Sequence, residues 1–493
     1  MLATPDENVD GRWSTGRLAA AIFLITSVIY GLVAWDRLPE ASKQFHFVDL
    51  AHSMLAGRLD TDTPKQSHRR TNSEDPPGYR EAIKRTTTGG GWNDWASLKT
   101  LTLEDGTVVR GRFPWPKAGG EQRHIFHTVD GEERKVVIPQ DLSRTCGTNR
   151  RQPCNETHHY VSFPPFPAVV MMLPSLVWGY NTNDVLITVL FAGLNAALLF
   201  WLLQLLVVRG HSDRTSRENL WWTLLFAFGS VTFFSSVRGE VWFTALVMGV
   251  TLNLGFMLAA LDLRHPWLAG LMLGLGMATR TPIAFCFVFF AWQLFLPNGR
   301  WEGGRWREIF GRGAAFAVPI LVCGGLLIAY NLARFDLPFE FGHAYLSGGA
   351  GDRIRDHGLF STWYLNKNLS AALINMPHFS SEAPYLKITK HGLGMFIAAP
   401  ALLLLLRPKS VQPLTLALWA TVATAATPGL LYQNTGWEQF GYRFSMDYLP
   451  YLIVLLAVGA RPLNRTAKGL ILASVAIHLF GAVTFGRFTG LYY

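Results

Sequence analysis

Apolar residues gather into long runs between residue 18 and residue 486, divided by short basic gaps and by two long polar stretches. A run of about 20 apolar residues crosses the ~30 Å hydrocarbon layer of a bilayer, and a soluble domain has no reason to repeat such runs. The pattern predicts eleven transmembrane helices, at 18–35, 183–208, 219–236, 241–262, 266–279, 282–297, 313–332, 392–406, 411–431, 446–460 and 469–486. The chain therefore reads as an α-helical polytopic membrane protein. The stretch FPPFPAVVMMLPSLVW at 163–178 is short and carries Pro164, Pro165, Pro167 and Pro174. Proline removes a donor and kinks a helix, so a partial or re-entrant element is predicted there. Two short apolar pieces around Ala278-Thr279-Arg280-Thr281-Pro282 predict half-length helices meeting at a polar elbow.

Charge sets the orientation. With the N-terminus cytoplasmic, the gaps Arg209/Arg214/Arg217, Arg264/His265, Arg300/Arg305/Arg307/Arg312, Arg407/Lys409 and Arg461/Arg465/Lys468 share the cytoplasmic side, provided 163–178 does not cross. The organisation that follows is a cytoplasmic N-terminus (1–17), a first helix (18–35), an exported loop (36–162), a transmembrane core (163–332), a second exported loop (333–391) and C-terminal transmembrane helices (392–493). The first run has no small-residue cleavage pattern behind it and reads as a signal anchor. Hydrophobic residues make up 49% of the chain and charged residues 16%, so the bilayer does most of the solvating. The formal charge of +10 sits in the gaps between apolar runs, which argues against nucleic acid as the partner.

Within the first exported loop, residues 60–91 are polar and punctuated by Pro and Gly, and predict an irregular segment. Residues 97–139 hold two Asp-Gly turns between β-prone stretches, the usual hairpin signal, and predict a small β-rich cap. Cys146 and Cys154 lie eight residues apart in the same loop. They suit either a loop-tightening disulfide or half of a metal site with His158 and His159, although the spacing matches no common zinc pattern. No other part of the sequence requires a metal.

Candidate chemistry begins directly after the first span. On a helix over 40–60, Ser42, His46, Asp49 and Ser53 share a polar stripe opposite Phe47, Leu50, Ala51, Met54 and Leu55, and Glu40 leads into it. The stripe faces either a functional cavity or simply water at a membrane surface. Arg238 and Glu240 interrupt an apolar stretch, Arg280 marks the elbow, and Trp437, Glu438, Tyr442, Arg443 and Asp447 crowd the segment GWEQFGYRFSMDYLP. Ionisable groups at membrane depth are expensive and are functional candidates by default, although internal ion pairs or snorkelling anchors give the same pattern. The 333–391 loop is rich in aromatics and His, which suits sugar stacking or an interfacial aromatic belt.

Taken in order, these motifs resemble the GT-C superfamily of polytopic glycosyltransferases, in the branch of the protein O-mannosyltransferases and the lipid A aminoarabinose transferase. The likeness runs through LAHSMLAGRL (50–59), Phe163-Pro164-Pro165, Glu240, GLGMATRTP (274–282) and GYRFSMDYLP (441–450). It implies a bacterial inner-membrane enzyme that takes its sugar from a polyprenyl-phosphate donor and transfers it, with inversion, to a lipid, glycan or protein acceptor. In that scheme a carboxylate of the first exported loop removes the acceptor proton, and Arg280 and Arg443 hold the departing phosphate. The chain departs from the pattern in one place: Ser42 and Lys43 stand where the relatives carry Asp or Asp-Glu. The base then falls to Asp49, Glu40 or His46, with Asp49 preferred, and Glu240 fits the family's second acidic position. A lipid or glycan transporter, or an inactive relative serving as an assembly partner, are the competing classes.

Overall fold

The computed structural model describes residues 14–61, 77–79, 82, 94–102, 108–112, 123–129, 132–137, 154–346 and 350–492. It is mostly helical and divides into two compact units. The first comprises Met1–Ser42, Asn183–Gly324 and Phe360–Tyr493, and the second Lys43–Thr182 and Gly325–Leu359.

Among the described residues, six helices are long and apolar enough to cross a membrane: Thr15–Val33, Asp184–Val208, Val241–Leu263, Trp306–Phe335, Pro413–Leu431 and Arg465–Thr484. The other five predicted spans form short or broken elements. Residues 219–236 split into the helices Ser216–Phe228 and Thr232–Ser236. The elbow pieces are the helix Pro266–Met277, a 3-10 turn Thr281–Cys286 and the helix Phe287–Phe295. Residues 392–406 form the short helix Met395–Ala398 and a 3-10 stretch Pro400–Leu406, and the last is the helix Leu449–Val458. Pro266, Pro282, Pro400 and Pro450 each stand in the first turn of their element, where a missing N–H costs nothing, so they punctuate runs that hydropathy alone reads as continuous.

In the first unit, burial ranks the helices. Val241–Leu263 is apolar all round and 78% buried over its most apolar window, whereas Thr15–Val33 is 17% buried and turns Leu24, Ile25, Val28 and Leu32 outward. The former is a core helix and the latter packs on one side only, against Asp184–Val208. That start is well specified: Asn183 caps the helix by accepting from the Leu186 N–H at 2.9 Å, and Asp184 follows in the first turn. Small residues let backbones approach, as between membrane helices generally. A Cβ on Gly270 would lie 2.0 Å from the Phe316 carbonyl oxygen, and one on Gly274 2.8 Å from Cys323 Sγ.

The second unit holds an antiparallel sheet of order β4-β3-β2-β1-β5, formed by β1 (Trp95–Thr102), β2 (Val108–Arg112), β3 (Arg123–Thr128), β4 (Glu133–Val137) and β5 (Cys154–Val161). Both predicted hairpins are present as strand pairs, β1 with β2 and β3 with β4, while their Asp-Gly turns lie outside the described residues. The fifth strand was not predicted, because the Cys segment reads as a loop. Cys154 opens β5 opposite Thr102, and Cys146 lies outside the described residues, as does most of the 60–91 segment. Ala96, Leu98 and Tyr160 of the sheet pack on Phe335, Tyr345 and Leu346. Buried Arg334 ties this core together by donating to the Val161 carbonyl at 2.8 Å, with its guanidinium 3.7 Å from the Tyr330 ring centre. The same unit contains the helices His46–Leu55 and Phe166–Trp178. The latter is the short element expected at 163–178, and it exposes Leu173, Leu176, Val177 and Trp178.

Two outcomes follow. Gly270→Val is expected to lower thermal stability in detergent by about 1–3 kcal/mol or more through overpacking, whereas Gly469→Ala, with nothing within 4 Å of its added Cβ, is expected to leave it unchanged or slightly raised. In the second unit, His158 Nδ1 lies 3.3 Å from Asp60 Oδ2, next to the Thr61 N–H bond to the His159 carbonyl at 2.7 Å. The hydrogen bond to Asp60 raises the His158 pKa, and the bond to His158 lowers that of Asp60. The pair's contribution is therefore complete between the ordinary carboxylate and imidazole ranges, and is lost as pH rises through the raised His158 value or falls through the lowered Asp60 value. His158→Gln should speed amide exchange at Thr61, relative to wild type, at about pH 5.5 and have little effect at about pH 8.5. An equal effect at both would remove the ion pair from the account.

Candidate functional site

The first unit brings five of the predicted residues together. Gly239 adopts φ +80°, where a Cβ would lie 2.5 Å from the Val185 Cα, and turns the chain sharply between Arg238 and Glu240. Glu240 then takes the extended N-cap conformation of the Val241–Ala260 helix, but its side chain folds back on Arg238 and makes no capping bond. Arg238 donates to it twice, Nε to Oε2 at 2.7 Å and Nη2 to Oε1 at 2.8 Å. A second fork pairs Arg280 with Asp447, Nε to Oδ1 at 2.6 Å and Nη2 to Oδ2 at 2.7 Å. Here the elbow ends the Pro266–Met277 helix, so that Arg280, in extended backbone, points at the 3-10 turn Arg443–Asp447. Asn253 Nδ2 donates to the Asp447 carbonyl at 2.8 Å, and Tyr451 OH to Asn253 Oδ1 at 2.7 Å, which fixes that turn against the core.

Arg443 lies between the two forks. It donates to the carbonyls of Gly436 and Glu438, and its own N–H donates to Gln439 Oε1 at 3.0 Å. Two rings join the three guanidiniums in series. Arg238 and Arg443 stand 5.1 and 5.2 Å from the Phe243 ring centre, and Arg443 and Arg280 stand 5.9 and 5.6 Å from that of Phe444. Such faces stabilise cations where water is excluded. The ladder carries three positive charges against two carboxylates, a surplus that favours an anion. Tyr442, also predicted, is buried and packs edge-on to Phe444 at 5.9 Å.

The segment leading into Arg443 is strained. Gly436 is followed by Trp437 and Glu438 at φ +45° and +48°, two successive left-handed residues that are not glycine. Gln439 braces the turn by donating to the carbonyls of His391 and Thr435, both at 2.8 Å. Trp437 remains partly exposed beside Lys390, and Lys390 Nζ lies 3.4 Å from Glu438.

Several charged residues of this unit escaped the sequence reading. Arg37 donates to the carbonyls of Val237 and Phe485 at 3.0 Å, and Arg487 forks onto Asp36. Burial, then the neighbouring charges of Arg238 and Arg487, push the Arg37 pKa down to about 10. Asp184, buried, accepts from the Ser42 N–H at 2.7 Å and the Ser42 hydroxyl at 2.5 Å. A carboxylate thus lies against Ser42 after all, supplied from the start of another helix. Glu40 is exposed in the turn ahead of Ser42.

His46 and Asp49 belong to the second unit. They share the expected helical stripe, but the stripe faces protein: both are fully buried, as is Ser53. Asp49 accepts from Trp95 Nε1 at 3.1 Å and from Tyr180 OH at 2.8 Å, and His46 stacks on Trp95 at 3.5 Å. Burial pushes the His46 pKa down to about 3, so the ring is neutral. Two neutral donors hold Asp49 in a box of aromatic side chains, which makes its first role a structural one. Among the described residues, no three His, Cys, Asp or Glu side chains gather as a metal set. No protein-family model, curated protein or solved structure matches this chain.

Removing one member of a buried, forked ion pair strands the other charge, at a cost of about 3–5 kcal/mol. Arg280→Met is accordingly expected to destabilise the protein strongly, and Arg280→Met combined with Asp447→Leu to recover most of the loss, as read by thermal unfolding in detergent. A loss in the double variant equal to the sum of the losses of Arg280→Met and Asp447→Leu alone would show that the pair is not coupled as described.

Proposed function

We propose that this protein is an integral membrane glycosyltransferase that moves a sugar from a polyprenyl-phosphate donor to a lipid, glycan or protein acceptor at the exported face of a bacterial inner membrane. The observation that carries the reading is the ladder of Arg238, Arg443 and Arg280 along Phe243 and Phe444, with its surplus positive charge. A leaving polyprenyl phosphate needs fixed cations where water is scarce, and guanidinium forks match its oxygens. The reading takes the eleven-crossing topology, in which the short apolar helices complete the bundle, with the β-rich sheet as an exported cap.

In the reaction, a carboxylate takes the proton of the acceptor hydroxyl as that oxygen bonds to the anomeric carbon. The bond from that carbon to the phosphate oxygen breaks, and the arginines hold the charge that develops on the phosphate. Of the two carboxylates in the ladder, Glu240 keeps the greater side-chain exposure, 21% against 5% for Asp447, and is assigned the proton transfer. Asp49 is assigned to holding its helix. The complete pairing of both ladder carboxylates and the burial of Asp49 also favour a second reading, a non-catalytic relative that binds the lipid phosphate without turnover.

Purified protein in nanodiscs, given a radiolabelled polyprenyl-phosphate sugar and a membrane-lipid extract as acceptor, is expected to transfer label. Arg443→Ala and Glu240→Gln should each reduce transfer at least about 100-fold, and the Arg443 variant should also lose binding of the bare polyprenyl phosphate. Binding without transfer in the wild type selects the second reading. Absence of both ends the assignment.

A further inference from the structure

The first unit contains a cleft that glycosyl transfer does not use. It lies between the C-terminal ends of the Asp184–Val208 and Val241–Ala260 helices, far along both from the turn at Gly239. Its walls are Trp201, Leu205, Leu258 and Leu261, its rim is Arg209, Arg264 and His265, and it is a shallow cleft, open to its surroundings, with a cavity volume of about 40 Å³. The chain reverses there through two left-handed residues, Asp262 at φ +56° and Leu263 at φ +55°. The reversal is fastened by the His265 N–H bond to the Ala259 carbonyl at 3.0 Å and by Gln293 Oε1, which accepts from the Asp262 N–H at 2.9 Å. Strain of this kind persists only where the surroundings enforce it, and here it returns Arg264 and His265 to the rim.

The charges at the rim are unbalanced. Asp262 is the carboxylate nearby, and it is engaged by His211 at 2.8 Å, with Arg209 Nε 4.0 Å away. Arg264 is exposed, and His265 Nε2 is buried with no hydrogen-bond partner. Burial and then the charge of Arg264 hold the His265 pKa below its ordinary value, so the ring adds an unsatisfied polar edge and no further positive charge. Both helices that form the cleft are long and apolar enough to cross a membrane, which puts its mouth at a bilayer surface.

We propose that this cleft binds an anionic phospholipid, with the headgroup phosphate held by Arg209, Arg264 and His265 and an acyl chain along Trp201, Leu205, Leu258 and Leu261. The two guanidiniums match phosphate oxygens, and the four apolar walls suit a hydrocarbon tail and give free phosphate nothing to touch. The bound lipid fills a gap between two helices and supplies the acceptor that His265 Nε2 lacks. This site does not rest on glycosyl transfer, and either conclusion survives the failure of the other.

The full-length protein is assembled in nanodiscs of mixed phosphatidylglycerol and phosphatidylcholine, extracted in mild detergent, and its retained lipids are counted by native mass spectrometry. Phosphatidylglycerol is expected to be enriched about tenfold or more over phosphatidylcholine. Equal retention of the two by the wild-type protein overturns the proposal without any variant. R209Q/R264Q should abolish the enrichment. Its persistence in that variant, at an unchanged melting temperature, also overturns the proposal. Leu258→Trp fills the cleft without altering charge and should lower retention as well; unchanged retention would overturn the seat assigned to the acyl chain. Displacement of the lipid by millimolar inorganic phosphate would identify a free-anion site and overturn the lipid assignment.

Discussion

A guanidinium group removed from water must be given acceptors and ring faces in return, because desolvating an ion costs several kcal/mol even after the protein relaxes. The first unit is organised by that requirement. The sharp turn at Gly239, the elbow at Arg280 and the 3-10 turn at Arg443–Asp447 are the places where regular helix stops. Each stop delivers an arginine or its acceptor. The irregular backbone is therefore the condition for holding charge in the bundle, as membrane proteins elsewhere confine broken helices to polar interiors.

The same economy of acceptors separates the two buried aspartates. Asp49 is held by an indole and a phenol in a box of aromatic rings, and Asp184 by the backbone and hydroxyl of Ser42. Neither is bonded to a guanidinium in these contacts. The donors in these contacts are neutral, and each aspartate fastens two stretches of chain distant in sequence. Glu240 and Asp447 do the opposite: each takes an arginine fork, and together they leave the ladder one positive charge in excess.

Much of this was legible in the sequence where the signal is local. Six of the eleven predicted apolar runs became long helices. The Pro-rich stretch at 163–178 became a short helix with an exposed apolar end. Helical spacing also placed His46, Asp49 and Ser53 on one face. What spacing cannot carry is the identity of the surface that meets the face: Trp95 and Tyr180 lie far along the chain, and they cover a stripe expected to face either a cavity or water. Arg37, Arg487 and Asp184 were missed for a related reason. At the edge of an apolar run a charge reads as an interfacial anchor, and only tertiary contact separates an anchor from a buried partner.

The low burial of the Thr15–Val33 helix has a consequence for how the chain tolerates change. Its outer side chains answer to lipid, which asks for apolarity and little else, whereas the Val241–Ala260 helix answers to close-packed neighbours over most of its surface. Leu24, Ile25, Val28 and Leu32 can thus be exchanged among Leu, Ile, Val and Phe at little cost, while Leu246, Val250 and Leu254 are bound to their particular shapes. Across a set of diverged copies, drift would accumulate along one flank of the first helix and stay rare around most of the circumference of the other.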